Sequence, residues 1–439
     1  MFAALSSYLS TNKREIEYIY SRFLLSDGVS IDTRTLSTDS LFVALKGTRT
    51  HGDVFVNTAL KRGASFVIAS KKYTNKSQNK RVICVNDTRM ALWGLAYFHR
   101  SQYKRHLIAI TGSCGKTTTK DLVQCVLSKK YNTSATMGNQ NSLIGVPLSL
   151  LNILPQTEVA VIELGISMPS EMAFLCHLTR PTHGLITYIG LAHAAQLGDI
   201  QSITQEKKIL FDYLQNNKGT IFQNTAIKDI DTQGGACLKT YANKNDDYPM
   251  ICKRSKDGCL AFSIPGYGVC QSHLCGLHHS TNVGAAQAIG RHFGVDVKHI
   301  YQAIRSYVPR NTRGVWHKTK HNQVYLDCYN ASPSAMRAAI NYFKSLKKTN
   351  KIAILGDMAE LGDYEDAEHK ALAKLFSNDI TWLLCGKAMQ NTYKIYDKAL
   401  YFETKKALAQ YLQSHTPKQA SIMLKASRSL ALEELLKVL

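Results

Sequence analysis

A glycine-rich stretch, ITGSCGKTTT at residues 110–119, carries residue types that bind phosphate. The usual pattern is G-x-x-x-x-G-K-[ST], whereas only two residues separate Gly112 from Gly115 here. An apolar run precedes the stretch and a helical pattern follows it, so its backbone N–H groups would lie at a helix N-terminus, which attracts anions. Lys116 can then reach the terminal phosphates of a nucleotide, and the Thr117 hydroxyl can bind Mg²⁺. A tight turn with an exposed lysine is the alternative, and phosphate binding is our prediction.

Two further polar residues follow apolar runs that read as buried strands. Glu163 comes at the end of VAVIE, and His193 follows GLITYI after a short turn. Ligands of α/β sheets bind at the carboxyl ends of the strands, so we expect both residues near the phosphate loop. The Glu163 carboxylate suits Mg²⁺, which prefers oxygen donors. A helix-capping glutamate and an ordinary loop histidine are the alternatives.

An alternation of apolar runs and helical patterns must position these residues. The runs LIAIT, VAVIEL and GLITYI are typical of parallel strands covered by helices. The pattern predicts an α/β protein with three domains: a small α/β domain at 1–83, a central P-loop-type domain with a mostly parallel sheet at 84–312, and a smaller Rossmann-like α/β domain at 313–439. A length of 439 residues accommodates two or three domains.

Composition indicates a globular protein of a reducing compartment. The apolar fraction is 45%, and the eleven cysteines include no C-x-x-C pair, so free thiols are expected. The first residues, MFAALSSYLSTNKRE, lack the features of a secretion signal, and no apolar run is long enough to cross a membrane. We therefore expect a soluble, cytoplasmic protein without membrane insertion, and a monomer.

The formal charge of +22 raises nucleic-acid binding as an alternative function. Lysine and arginine are spread along the whole chain, and the densest cluster, at 71–81, has the composition of an exposed polar loop. No arginine–glycine tract, aromatic-rich basic patch or zinc-finger spacing accompanies it. Attraction for acidic small molecules explains the charge equally well, so nucleic acid is not a predicted partner.

A group of histidines and a cysteine raises a zinc site as a second alternative. His273, Cys275, His278 and His279 lie close together, but their spacing matches no common zinc pattern and no second Cys/His pair lies nearby. We do not expect zinc there.

The shortened loop resembles the TGxxGK[ST]T loop of the Mur ligases, the ATP-dependent amide-forming enzymes of peptidoglycan synthesis, and of the related folylpolyglutamate synthases. Other stretches resemble segments of the D-alanyl-D-alanine-adding (MurF) type of Mur ligase, in that family's order. They are IDTRTLSTDSLFVALKGTRTHGDVF (31–55), GNQNSLIGVPLSLL (138–151), VIELGIS (161–167), YIGLAHAAQLGDIQSITQEKK (188–208), GLHHSTNVGAA (276–286), LDCYNASPSAM (326–336), ILGDMAELG (354–362) and LKASRSLALE (424–433). Each match alone is weak, whereas their shared order is specific.

The resemblance implies an enzyme that joins D-alanyl-D-alanine to UDP-N-acetylmuramoyl-tripeptide. In this family the substrate carboxylate attacks the γ-phosphate of ATP, and an amine captures the acyl phosphate. ATP and two Mg²⁺ ions are the implied cofactors, with a carbamoylated lysine at Lys207. The alternatives are another Mur-type ligase, such as one adding an amino acid to the dipeptide precursor, a folylpolyglutamate synthase, or a nucleotide-binding protein without catalysis.

Carried over by resemblance, the family's functional positions fall on the following residues. Catalytic roles are implied for Lys116, Lys207, His193 and Arg313, and metal binding for Thr117, Glu163 and His193. ATP binding is implied for Gly112, Ser113, Cys114, Gly115, Lys116, Thr117, Thr118, His279, Asn282, Arg313 and Asp327. Substrate binding is implied for Thr33, Arg34, Lys46, Gly47, Asn139, Asn141, Tyr329, Asn330 and Ser332.

Three positions depart from the family pattern. Ser142 replaces the second asparagine of a pair, Ala195 a glutamate and His279 an asparagine that flanks the adenine. The adjacent Lys208 leaves two lysines as candidates for the carbamate. The C-terminal segment also lacks the DNPR stretch with which ligases of the third amino acid bind a charged side chain.

Overall fold

The computed structural model describes the chain except for residues 49, 74–78, 228–229, 231–236, 256 and 310–311. The middle of the basic run at 71–81 therefore lies outside the described residues.

The N-terminal part consists of two helices followed by a parallel sheet in the strand order β1-β2-β3-β4. Its elements are α1 (Phe2–Thr11), α2 (Lys13–Phe23), β1 (Val29–Ser30), β2 (Leu41–Val43), α3 (Val56–Lys61), β3 (Phe66–Ser70), β4 (Val82–Val85) and α4 (Thr88–Gln102). Asp87 is the N-cap residue of α4, and its side chain accepts hydrogen bonds from the backbone N–H groups of Arg89 and Met90. Residues of α1, α2 and α4 share one apolar core with the central part of the chain.

The central part is built on a parallel sheet in the order β10-β9-β8-β5-β7-β6, which confirms the predicted α/β class. Its elements are β5 (His106–Thr111), α5 (Lys116–Leu127), β6 (Thr133–Ala135), α6 (Gly145–Leu151), β7 (Val159–Glu163), α7 (Glu171–Thr179), β8 (His183–Ile186), α8 (Ala194–Leu197), α9 (Ile200–Asn216), β9 (Thr220–Asn224) and β10 (Cys237–Tyr241). The apolar runs LIAIT, VAVIEL and GLITYI, which the sequence predicted as strands, correspond to β5, β7 and β8. Their continuous apolar runs follow from helices covering both faces of the sheet.

A small antiparallel sheet interrupts this pattern. Its strands are β11 (Ile251–Arg254), β12 (Cys259–Ser263) and β13 (Cys270–Cys275), and the helices α10 (Ser280–His292) and α11 (Val297–Ser306) follow. The sequence did not predict these strands, because their alternation of buried and exposed residues is short and mixed with lysine and cysteine.

The C-terminal part is built on a separate sheet in the order β14-β15-β19-β16-β17-β18, parallel except for β14, which pairs antiparallel with β15. Its elements are β14 (Arg313–Lys318), β15 (Gln323–Asp327), α12 (Pro333–Lys344), β16 (Lys351–Gly356), α13 (Glu365–Leu372), β17 (Ile380–Cys385), α14 (Gln390–Tyr393), β18 (Leu400–Phe402), α15 (Lys405–Ser414) and β19 (Ser421–Lys425). This arrangement confirms the predicted doubly wound unit. Within the described ranges, no helix combines the length and apolar character needed to span a bilayer.

Candidate active site

A cavity of about 900 Å³ lies where the carboxyl ends of the central strands face those of the C-terminal sheet. It brings together most of the residues that the sequence predicted. They are Ser113, Cys114, Gly115, Lys116, Thr117, Thr118, Asn139, Asn141, Glu163, His193, His279, Asn282, Arg313, Asp327, Tyr329, Asn330 and Ser332. The other predicted residues, all described, lie outside the cavity wall: Thr33, Arg34, Lys46, Gly47, Gly112 and Lys207.

The glycine-rich turn is shaped by close backbone packing. Gly112 has φ 147°, and a Cβ there would lie 2.1 Å from the Thr187 hydroxyl oxygen. Gly115 has φ 80° and precedes the first residue of α5. Among the described side chains, none caps this helix, so its first backbone N–H groups face the cavity without a side-chain acceptor. Such a helix end favours an anion.

Lys116 lies at the cavity wall with its ammonium group held across the turn. Its Nζ donates to the carbonyl oxygen of Gly112 at 2.6 Å. Burial lowers the pKa of Lys116, while the negative charge of Glu163 acts in the opposite direction. The net shift is downward, so the effect of burial on the pKa of Lys116 outweighs the attraction of Glu163.

Glu163 is buried at the end of β7 with one carboxylate oxygen unused. The Asn141 amide donates to Oε1 at 2.6 Å, while Oε2 has no hydrogen-bond partner among the residues that the structure describes. The Asn141 side chain also lies against Gly165, where an added Cβ would come within 2.8 Å of its amide carbon. A buried carboxylate oxygen without a donor is costly unless a cation or water satisfies it.

His193 contacts a residue that the sequence analysis did not assign. Its Nδ1 lies 2.5 Å from Oε2 of Glu360, within ion-pair distance, although the geometry is not that of a hydrogen bond. The backbone N–H of Ala195 also donates to the carbonyl oxygen of Glu360 at 3.1 Å. Glu360 lies in the stretch ILGDMAELG, which resembles the family's sequence. The resemblance marked this stretch but indicated no function for Glu360.

The two adjacent lysines of α9 differ sharply in environment. Lys207 is 2% exposed and, within the described part of the chain, makes no hydrogen bond or ion pair. Burial, reinforced by the positive charge of Lys116, lowers its pKa to about 7. Lys208 instead pairs with Asp212 at 2.7 Å on the helix surface.

Asn282 connects the glycine-rich turn to the histidine at the start of α10. Its Oδ1 accepts from the Thr119 hydroxyl at 3.2 Å, and its Nδ2 lies 3.1 Å from Nδ1 of His279. A Cβ on Gly115 would lie 2.7 Å from Oδ1 of Asn282, so this contact requires the glycine. Burial lowers the pKa of His279, which is therefore neutral at pH 7 and accepts the amide proton at Nδ1.

The C-terminal sheet contributes a stacked cation and a buried ion pair. The Arg313 guanidinium lies 3.4 Å from the centre of the Tyr329 ring. Lys425, which is 1% exposed, lies 2.6 Å from Oδ2 of Asp327. Lys425 lies in one of the stretches that resemble the family, but the sequence did not single it out, because its partner Asp327 is far away along the chain.

The residues predicted to bind the substrate's nucleotide end lie on loops of the N-terminal sheet. Arg34 pairs with Asp32 at 2.6 Å, and the carbonyl oxygen of Thr33 accepts from Arg62 at 2.6 Å. Lys46 adjoins a tight turn closed by the N–H of Gly47 and the carbonyl of Thr50. These groups do not contact the main cavity.

No group of three or more His, Cys, Asp or Glu side chains in the described ranges is arranged to hold a metal ion. The eleven cysteines, all of them described, are free thiols.

Three family models match the chain in succession. "Mur ligase family, catalytic domain" matches residues 26–98, "Mur ligase middle domain" residues 110–290, and "Mur ligase, glutamate ligase domain" residues 313–428.

Relatives of known name cover nearly the whole length. The UDP-N-acetylmuramoyl-tripeptide–D-alanyl-D-alanine ligase of Bacillus subtilis is 33% identical over 93% of this chain and 92% of its own. A crystal structure of MurF from Acinetobacter baumannii superimposes with a TM-score of 0.82 at 25% identity, covering 93% of this chain and 92% of that one. MurF from Thermotoga maritima in complex with ADP gives a TM-score of 0.80 at 24% identity, covering 94% of this chain and 97% of that one. The chain therefore belongs to the Mur ligase family, as a member of its D-alanyl-D-alanine-adding (MurF) type.

Proposed function

We propose that this protein joins D-alanyl-D-alanine to UDP-N-acetylmuramoyl-tripeptide and converts ATP to ADP and phosphate in the same reaction. The observation that carries the proposal is the cavity itself. There a glycine-rich turn with Lys116 and the unsatisfied carboxylate of Glu163 faces Arg313 and Asp327 of the C-terminal sheet. The Bacillus subtilis relative is named for this reaction.

Amide formation requires that a carboxylate oxygen leave, which ATP makes possible by converting it to a phosphate. The residues of the site hold and stabilise the charge on the transferring group. Lys116 supplies a positive charge at the turn, and the free N–H groups of α5 supply aligned donors. Arg313, from the C-terminal sheet, presents planar donors that suit the γ-phosphate.

The residues present fit Mg²⁺. Oε2 of Glu163 needs a cation or water, and Mg²⁺ commonly takes one or two protein carboxylates and completes its shell with phosphates and water. Thr117 and Glu163 would hold one ion and His193 a second. The metal would neutralise charge on the phosphate oxygens.

Lys207 is the lysine that we propose to carry a carbamate. Carbamate formation consumes a neutral amine, and a pKa of about 7 leaves a substantial neutral fraction at neutral pH. Lys208 is held in a surface ion pair and is a poor candidate.

The remaining roles follow the positions of the residues. His279 and Asn282 would flank the adenine and Asp327, oriented by Lys425, would bind the ribose. The peptide substrates would be positioned by Asn139, Asn141, Tyr329, Asn330 and Ser332. The uridine diphosphate would be bound by Thr33, Arg34, Lys46 and Gly47.

We propose that the chain has three domains, at 1–83, 84–312 and 313–439. We further propose that the protein is a monomer and is located in the cytoplasm, where these precursors are made.

The test combines substrate dependence with one variant. The wild-type protein should release phosphate from ATP only when UDP-N-acetylmuramoyl-tripeptide is present, and D-alanyl-D-alanine should give the amide product in equal amount by mass spectrometry. Lys116→Ala should lose about 3–4 kcal/mol of transition-state stabilisation with an unchanged circular dichroism spectrum. Near-normal turnover in Lys116→Ala, or ATP hydrolysis without the sugar nucleotide, would contradict the proposal.

A further inference from the structure

Two thiols outside the cavity face each other across neighbouring antiparallel strands. Cys259 on β12 is paired with Cys275 on β13 next to an irregularity in the strand register, and their Sγ atoms lie 3.8 Å apart. Paired positions of adjacent strands hold their Cβ atoms within the range that a disulfide can bridge. Both thiols are reduced in this structure.

The pair lies against helix α12 of the C-terminal part and the residues that directly follow that helix. A Cβ on Gly258 would come within 2.9 Å of Leu346, and one on Gly276 within 3.3 Å of Tyr342. Cys275 is 4% exposed, whereas Cys259 is half-buried and reachable from solvent. The thiols therefore mark a contact between the small antiparallel sheet and the C-terminal sheet's helix.

The contact between the two sulfurs shifts their pKa values in opposite directions. A hydrogen bond from the thiol of Cys259 lowers the pKa of Cys275 to about 7, against the opposing effect of burial. The same contact raises the pKa of Cys259. A thiolate, the reactive form of cysteine, is thus available near neutral pH beside a second thiol.

Cys275 also adjoins the segment that leads into the cavity. Gly276 follows it directly with φ 98°, and its N–H donates to the carbonyl oxygen of Gly258 at 3.2 Å. The chain then forms one short helical turn that ends at His279, and Asn282 follows in α10; both residues line the cavity. A change in the position of Cys275 is transmitted to this segment through a short stretch of backbone.

We propose that Cys259 and Cys275 form a site of reversible oxidation at which a hydroperoxide converts the two thiols into an intramolecular disulfide. The Cys275 thiolate attacks one peroxide oxygen, the O–O bond breaks, and hydroxide leaves. The sulfur of Cys259 then attacks the resulting sulfenic sulfur, and the S–O bond breaks with release of water. With hydrogen peroxide, two thiols lose two electrons and two protons, and the peroxide is reduced to two waters.

Disulfide formation draws the sulfurs from 3.8 Å to about 2.0 Å. The resulting shift at Cys275 changes the entry to α10, so the oxidised protein should bind its nucleotide more weakly. This consequence rests on the proposed function, whereas formation of the disulfide does not.

The covalent step is tested by peptide mass spectrometry of the full-length protein treated with hydrogen peroxide. Wild type should give a linked peptide pair containing Cys259 and Cys275, lighter by two hydrogen atoms and restored by dithiothreitol. Cys259→Ser and Cys275→Ser should not give it. Cys252→Ser is the matched control, since Cys252 is a half-buried thiol of the same sheet, and should behave as wild type. Absence of the linked pair in wild type, or oxidation only to sulfinic acid, would overturn the proposal.

The effect on the nucleotide is tested by kinetics of the same samples. Oxidation of the wild-type protein should raise its KM for ATP by about fivefold or more. A factor of about five is the lower end of the affinity changes that coupled sites typically show. Reduction should reverse the change, and Cys259→Ser should be unaffected. Equal inhibition of Cys259→Ser would assign the effect to another thiol, such as Cys114, and would overturn the coupling while the disulfide result stands by itself.

Discussion

At the residue scale, the site depends on ionisable groups that are buried without full compensation. Burial lowers the pKa of both Lys116 and Lys207, and Oε2 of Glu163 has no donor among the described residues. Such groups cost stability, and the charge of Lys116 acts on Lys207, so their presence in one region of the molecule indicates that ligands complete them.

Substitution of Lys207 tests the proposed carbamate. Lys207→Ala should reduce phosphate release by a factor on the order of 10²–10³, because one preorganised charge is removed. Acetate or formate should restore part of the activity by replacing the missing pair of oxygens. Lys208→Ala, which removes only the surface ion pair with Asp212, is the matched control and should remain active. If Lys208→Ala is the more damaged variant and no carboxylate rescues Lys207→Ala, the assignment is wrong.

Sequence position was informative about location where a residue follows a recognisable apolar run. Lys116, Glu163 and His193 all lie at the cavity, as their positions after buried strands suggested. Glu360 and Lys425 were missed because each gains its importance from a partner that only the tertiary structure brings near. Sequence spacing holds no information about such pairs.

At the element scale, the turn between β5 and α5 is fixed by its glycines. Gly112 has φ 147°, and a Cβ at this position would lie 2.1 Å from the Thr187 hydroxyl oxygen, which leaves no room for a side chain. The turn therefore holds its backbone N–H groups in one orientation before any phosphate binds.

Gly112→Ala is expected to lower the free energy of unfolding by more than the cost of the unfavourable backbone conformation alone. Its Cβ would lie 2.1 Å from the Thr187 oxygen, so Thr187 or the turn must move. Gly138→Ala is the matched control, because Gly138 has φ 56° but open space around it. That control should cost only about 1–2 kcal/mol. Urea unfolding measures both variants, and equal losses of unfolding free energy would show that the close contact is unimportant.

The elements themselves were predictable to different degrees. Strands β5, β7 and β8 were found because burial on both faces gives continuous apolar runs. Strands β11 to β13 and the antiparallel β14 were missed, since half-exposed strands mix polar and apolar residues over short lengths.

At the scale of the whole molecule, the site exists only where the central and C-terminal sheets meet. His193 and the start of α8 at Ala195 contact the turn from Glu360 to Gly362. Closure of such an interface would exclude water from an acyl phosphate. The strand order of the C-terminal sheet, with β19 between β15 and β16, could not be predicted, because it depends on pairing across long separations.

Gly362→Ala tests whether this contact matters for turnover. Gly362 has φ 55°, and a Cβ there would lie 2.9 Å from the Cα of Ala195, so the two parts would be pushed apart. The rate of phosphate release should fall. Gly266→Ala, at φ 83° with nothing near, carries similar strain without the contact and should keep the wild-type rate. Equal rates of phosphate release in the two variants would show that the contact between Gly362 and Ala195 is not needed for turnover.

The choice of amine tests the central claim most directly. D-Alanyl-D-alanine has no charged side chain, and the chain lacks the DNPR stretch that would bind one. Phosphate release should be measured with UDP-N-acetylmuramoyl-tripeptide and D-alanyl-D-alanine, and with the corresponding dipeptide precursor and diaminopimelate or lysine. D-Alanyl-D-alanine should stimulate phosphate release, and it should do so only with UDP-N-acetylmuramoyl-tripeptide as the other substrate. Faster turnover with diaminopimelate or lysine and the dipeptide precursor would contradict it.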